Sequence, residues 1–393
     1  MRILLVANSS FKLINFRRTL IQQLQEEGHE LIATAPRDEY TPDFARMGVK
    51  YVELPMDATG TSLVAEAKLL LKIFSITRSK KPDAVLGYTI KPNIYGALSA
   101  RILGVPFVPN ITGMGSVFDR EDLLARLIKW LYRTAFRRCP RVFLQNPEDL
   151  SFFVKSGLIS RQQAYLLPGS GVDLKNFHVS SLPGSGHNRT FVLVARMLRE
   201  KGIYEFVEVA RALSSSFPDA RFVLLGPSGS GKSGALSEAD MKKLTSDGIV
   251  EYRGAVKDVR PVVAEADCVV LPSFYREGTP RALLEAAAMG RPIITTTIPG
   301  CKDVVDDGRN GFLCKPKSAQ SLETAMRQFL LMSEEAVDEM GKASRQLAEQ
   351  KFDEQIVIDN YTSVLRDAAI KTSSNERRSE PLKLKSSQSE INQ

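Results

Sequence analysis

Within residues 273–301, SFYREGTPRALLEAAAMGRPIITTTIPGC, two carboxylates, Glu277 and Glu285, flank the start of a helix. Thr279 suits the N-cap, Pro280 the first helical position, and residues 281–289 carry a helical run that Gly290 ends. Apolar VVLP precedes it and PIITT follows, so strand, loop, helix and strand form a βαβ unit of a parallel sheet. The helix then opens at the ligand-binding edge of that sheet. Unpaired N–H groups and the positive dipole end at residues 278–282 make a seat there for a phosphate. Two glutamates eight positions apart also fit a solvated helix face, so spacing alone leaves both roles open. Two cations, Arg196 and Lys201, stand where a strand at 191–195 meets its helix; as bare charges they too fit an ordinary surface.

The whole 273–301 string resembles the donor-site signature of the retaining glycosyltransferases of family 4, which have the GT-B fold and use nucleotide-sugar donors. The resemblance implies that Glu277 faces the sugar hydroxyls and Glu285 the ribose. Gly278, Thr279, Pro280 and Arg281 fall in the donor loop. Arg196 and Lys201 match the Arg and Lys that clamp the donor pyrophosphate. RGAVKD, after a strand at 250–252, resembles the base-binding loop, with backbone near Gly254 and Val256 meeting the base. The commoner form of the motif reads EGFG where this chain has EGTP, a departure that resembles a subgroup building lipid-linked or surface glycans. That subgroup is similar also in the first loop, where Asn15 and Arg17 stand in place of the usual glycines, and in ITGMGS, whose Thr112, Gly113 and Met114 become candidates near donor sugar and acceptor. The implied donor is a UDP-sugar and the acceptor a lipid-linked saccharide. No D-x-D metal motif ends a strand, so the expected chemistry needs no metal: the two cations and the helix start stabilise the leaving diphosphate. Retention without a carboxylate nucleophile resembles the family's front-face route, in which Glu277 orients the sugar and does not attack it.

One motif points elsewhere. GPSGSGKS, residues 226–233, matches a P-loop directly after the strand-like RFVLL, but the helix after it begins only near Ser237, and no strand ending in a Walker B aspartate follows. A P-loop NTPase and a non-catalytic sugar-nucleotide binder of the same fold are the alternatives.

At 393 residues, with 43% hydrophobic and 25% charged residues, the composition is that of an ordinary globular protein of two domains. Four cysteines show no metal or disulfide spacing. The whole +8 excess of charge lies in residues 1–170, which suggests an anionic surface as partner; no zinc-finger spacing or RNP-like string supports nucleic acid. No apolar run reaches the ~18 residues of a membrane span, and the first ten residues are too weakly apolar for a signal peptide. The expectation is a cytoplasmic protein, peripheral at the inner face of a membrane. Helix 121–138 supports this: Arg126, Lys129, Arg133 and Arg137 share one face beside Trp130, with Leu124, Ile128, Leu131 and Ala135 opposite. A core-packed helix with a solvated basic face explains the same pattern.

The elements that must carry these residues alternate strand and helix throughout. Asn15 caps a helix running to Glu27, the first Rossmann-like domain covers 1–177, a linker 178–189, the second domain 190–351, a returning helix 352–370 and a disordered tail 371–393. The loop 8–18 lacks G-x-G-x-x-G, which argues against a dehydrogenase.

Overall fold

The computed structural model describes residues 1–57, 62–114, 118, 122–183, 189–229, 234–276 and 278–379, with side chains described to residue 368. Seven parallel strands form one sheet: β1 (Arg2–Val6), β2 (Glu30–Ala35), β3 (Lys50–Glu53), β4 (Ala84–Tyr88), β5 (Phe107–Ile111), β6 (Val142–Leu144) and β7 (Ala164–Leu166). Six more form a second: β8 (Thr190–Val194), β9 (Arg221–Leu225), β10 (Val250–Tyr252), β11 (Cys268–Leu271), β12 (Ile293–Thr296) and β13 (Gly311–Cys314). The strand orders are β3-β2-β1-β4-β5-β6-β7 and β10-β9-β8-β11-β12-β13, so each sheet reverses direction beside its first strand, between β1 and β4 and between β8 and β11. In open α/β sheets such a switch point opens the crevice where ligands bind. The central strands are apolar runs buried on both faces, such as ILLV in β1 and CVVL in β11, because helices cover both sides.

Four apolar clusters, two per sheet, make the cores. The last helix, Glu354–Ser379, belongs by chain order to the second domain but packs Val357, Ile358, Tyr361, Val364 and Leu365 into the first domain's core. The expected return of the C-terminal helix is thus borne out. Val172 and Asp353 pair where the two crossings meet, with Val172 N–H donating to Phe352 O at 2.8 Å.

Several local expectations are corrected. Asn15 caps nothing: Ser9 accepts from Lys12 N–H and starts helix Ser10–Phe16, while Asn15 lies inside it and donates to Phe11 O. A second helix, Arg18–Glu26, follows at once. Strands β3 and β7 went unread because each is a short edge strand with little apolar burial. The stretch expected to be disordered from residue 371 is helical through Ser379; residues 380–393 lie outside the described residues.

Candidate active site

At the β8–β11 switch point, a turn of 3-10 helix, Arg199–Lys201, leads through Gly202 into helix Ile203–Ser214. Gly202 has φ +77°, and a Cβ there would stand 2.3 Å from the Pro272 carbonyl oxygen. The loops after β8 and β11 therefore touch backbone to backbone. The Ser273 hydroxyl and the Phe274 N–H both donate to Glu200 O, at 3.1 and 2.8 Å. This joint places Lys201 Nζ 5.7 Å from the Tyr275 ring centroid. Arg196, half-buried in the loop after β8, makes no side-chain hydrogen bond or ion pair among the described residues. Two cations from one loop thus stand at the ligand edge, one of them uncompensated, which is the electrostatics an anionic ligand needs. The turn after β10 closes a third side: Gly226 N–H donates to Gly254 O at 2.8 Å, and Val256 is exposed.

The donor loop departs from its sequence reading. Pro280, not Thr279, is the N-cap of helix Arg281–Ala288, with φ −63° and ψ 121°. Thr279 turns instead to the other domain, its hydroxyl donating to Gln145 O at 2.9 Å and its N–H reaching Gln145 Oε1 at 3.4 Å. Gly278 is wedged alongside; a Cβ would lie 2.3 Å from Gln145 Oε1 and 2.8 Å from Thr112 O. The Thr279 amide, expected to serve a phosphate, is therefore already occupied. Arg281 and Glu285 form an ion pair at 2.9 Å with side chains 16% and 14% exposed, and Arg281 reaches on to Ser170 Oγ and Gly171 O. Burial pushes the Glu285 carboxyl up, and the Arg281 charge and hydrogen bond oppose that. Arg281 thus ties Glu285 to the interdomain segment. Glu277 lies outside the described residues.

On the first domain, Arg17 is buried, donates to Phe16 O and Ser170 O, and stacks over the Tyr88 ring at 5.0 Å. It has no carboxylate partner among the described residues and braces the same interdomain turn as Arg281. Asn15 is exposed. Thr112 meets Gly278 through its backbone, and Gly113 next to it takes φ +120°. Met114 is a core residue at 0% exposure, which removes it from the candidate set. Among the described residues, no three histidine, cysteine, aspartate or glutamate side chains converge as metal ligands would.

Residues 15–169 match the family described as glycosyl transferase 4-like domain and residues 188–331 that of glycosyl transferases group 1, together well over half of the chain. The chain is a group 1 glycosyltransferase. It is 26% identical to the Campylobacter jejuni N,N'-diacetylbacillosaminyl-diphospho-undecaprenol alpha-1,3-N-acetylgalactosaminyltransferase, over 94% of this chain and 100% of that one. It is also 26% identical to an Escherichia coli UDP-Gal:alpha-D-GlcNAc-diphosphoundecaprenol alpha-1,3-galactosyltransferase, over 75% of this chain and 77% of that one. Anabaena HepE, solved in complex with UDP and glucose, superposes with a TM-score of 0.75 at 19% identity, covering 93% of this chain and 99% of that chain. The shared fold is GT-B, two doubly wound sheets with the C-terminal helix returning to the first, and the family read from the donor-loop motif is borne out.

In the transferase no helix opens directly after the P-loop match. Helix Glu238–Leu244 begins after Ser237 in a reciprocal capping box, the Asp240 N–H donating to the Ser237 hydroxyl oxygen and the Ser237 N–H to the Asp240 carboxylate; Lys232 itself lies outside the described residues. The amphipathic helix is Leu123–Phe136, and its buried face is Ala125, Tyr132, Ala135 and Phe136. Leu124, on the apolar face opposite the cations by helical spacing, is 41% exposed; Leu123, Leu127 and Trp130 are exposed at 81%, 46% and 60%. Of the basic residues, Arg126 and Arg137 are exposed, Lys129 lies over Phe152, and Arg133 donates to Ser156 O and Gly157 O. Cations and apolar side chains therefore share the outer surface.

The sequence reading missed the first domain's side of the joint. Gln145 Nε2 donates to Asn110 Oδ1 at 3.1 Å, Asn110 Nδ2 donates to Tyr361 OH at 2.9 Å, and Asn93 Nδ2 donates to Asn110 O at 2.8 Å, all buried. The one available signal was polar residues, Asn110 and Gln145, at or just after the ends of otherwise apolar strands.

Proposed function

We propose that the transferase moves a hexose or N-acetylhexosamine, with retention, from a UDP-sugar to a lipid-linked saccharide at an anionic membrane surface, in surface-polysaccharide or related glycan assembly. The observation that carries this is the β8–β11 edge, where Arg196 and Lys201 stand after β8, Lys201 beside Tyr275 of the donor loop. Two relatives that align over most of their length support the acceptor class, since both are named for undecaprenol-diphosphate-linked acceptors and alpha-1,3 transfer. One of those names and the UDP held by HepE support the donor.

In this reading Arg196 and Lys201 take the charge that develops on the departing diphosphate, a role that fixed cations fill without a metal. Glu277 holds the sugar hydroxyls, and the turn at Gly254 and Val256 meets the base. The departing phosphate oxygen accepts the acceptor's proton on the face it leaves, unlike the two-carboxylate scheme of glycosidases. Membrane contact falls to helix Leu123–Phe136, whose exposed Leu123, Leu127 and Trp130 stand among Arg126, Lys129, Arg133 and Arg137, the composition of an interfacial helix. No helix among the described residues is long and apolar enough to cross a membrane. The test is UDP release dependent on a diphospholipid-linked saccharide. Release of phosphate from ATP instead would support an NTPase, and binding without turnover a non-catalytic binder.

A further inference from the structure

Within the five residues after β6, Gln145 and Asp149 touch the donor loop on the two sides of position 277. On one side Gln145, 6% exposed, takes the Thr279 hydroxyl on its backbone oxygen and the Thr279 N–H on Oε1. On the other side Asp149, 2% exposed, has Oδ1 3.6 Å from an Arg276 guanidinium nitrogen. The turn is tied together: Asn146 caps helix Pro147–Lys155 by accepting from Asp149 N–H at 2.7 Å and donates to Asp149 Oδ2 at 2.9 Å. Asp149 Oδ1 makes no hydrogen bond among the described residues, so the Arg276 charge is what answers it. A buried carboxylate aimed at a cation of the other domain is costly to keep and specifies one relative placement of the two. Gln145 is fixed in turn by Asn110, and Asn110 by Tyr361 of the returning helix.

We propose that Asp149 and Gln145 are positioning residues for sugar transfer: across the domain boundary they hold Arg276 and Thr279, and so set the loop that carries Glu277 against the acceptor domain. The proposal rests on the transferase reading. Neither residue touches the reacting atoms in this scheme; both act through the loop.

A pH signature follows. Burial raises the Asp149 carboxyl to about 6, against the opposing effects of the Asn146 hydrogen bond and the Arg276 charge; Glu148 and Asp303 also face it and raise it further. Lys302, paired with Glu148 at 2.5 Å, completes the charged surroundings. The carboxylate is therefore present above pH 6 and is lost as pH falls through that value, taking the Arg276 contact with it.

The experiment is a double-mutant cycle of Asp149→Asn and Arg276→Gln, with kcat and donor KM measured from pH 5 to 8. Each variant should lose about tenfold or more in kcat with donor KM within about threefold, and the double variant should lose no more than either single. The wild-type fall in kcat below pH 6 should vanish in both. Should Asp149→Asn fail to fold, Arg276→Gln, on a partly exposed side chain, carries the same two expectations. A reading independent of turnover comes from spin labels on cysteines placed at the exposed Ser160 and Ser246, the native cysteines being buried. The interdomain distance should broaden below pH 6 in the wild type and be broad at all pH in Asp149→Asn. Additive losses in the double variant, an acid limb that survives Asp149→Asn, or a distance unaffected by pH and substitution would overturn the proposal. An inactive wild type whose distances behave as expected would count against the donor and acceptor reading and in favour of this one.

Discussion

Replacing Gly202 by alanine perturbs Lys201 through the backbone alone. A side chain at φ +77° costs about 1–2 kcal/mol. The new Cβ would also stand 2.3 Å from the Pro272 oxygen, where real contacts stay beyond 3.0 Å, so the two loops must part by about 0.7 Å. Overpacking of that kind adds about 1–3 kcal/mol. Because Lys201 precedes Gly202 directly, it moves with the turn, and a catalytic group misplaced by nearly 1 Å loses about 10²-fold in rate. Gly248→Ala is the control: φ is +75°, but nothing lies within 4 Å of its Cβ, so it meets the strain without the displacement. Thermal unfolding should show Gly248→Ala losing about 1–2 kcal/mol and Gly202→Ala about 2–5 kcal/mol. Steady-state UDP release should fall about 10²-fold in Gly202→Ala and stay near wild type in Gly248→Ala. A folded Gly202→Ala enzyme with wild-type kcat would refute the idea that the β8–β11 joint sets the cation.

Lys201→Ala and Arg196→Ala should each cost about 10²–10³ in kcat, as loss of a transition-state donor does, and wild-type turnover should survive EDTA; full activity without Lys201, or none after chelation, would break the mechanism. Glu277→Gln should cripple kcat as well, while Glu285→Gln should also destabilise the fold, since it takes the carboxylate from a mostly buried Arg281 and breaking such pairs costs about 3–5 kcal/mol. Lys232→Ala should leave transfer within a few-fold of wild type, and collapse together with loss of ATP binding would revive the P-loop. Sedimentation with anionic liposomes should weaken by about 1 kcal/mol per cation when Arg126, Lys129, Arg133 and Arg137 become Gln, and further when Leu127 and Trp130 become Ser; unchanged sedimentation would return the helix to a solvated face.

What the sequence determined by itself is the part written in local pattern. Apolar runs such as ILLV and FVLV specify central strands because both faces are covered, so no partner is needed to read them. The alternation of strands with helices dictates parallel sheets, and cations placed just after the first strand of a sheet must lie at its switch point. The place of Arg196 and Lys201 in the fold was legible for that reason, while their role came only with the family resemblance; the start of helix Glu238–Leu244 at Ser237 was legible too. Tertiary structure decided whatever depends on a distant partner. Thr279 is a good N-cap by type, yet its hydroxyl serves Gln145, 134 positions away. The Asn110 to Tyr361 bond spans 251 positions and leaves no periodicity to read. On helix Leu123–Phe136 the apolar residues spread around most of the circumference, so packing against its neighbours, through Ala125, Tyr132, Ala135 and Phe136, chose the buried arc and left Leu127 and Trp130 outside. Edge strands β3 and β7 have one neighbour and need few apolar residues, so only the hydrogen-bonded ladder reveals them.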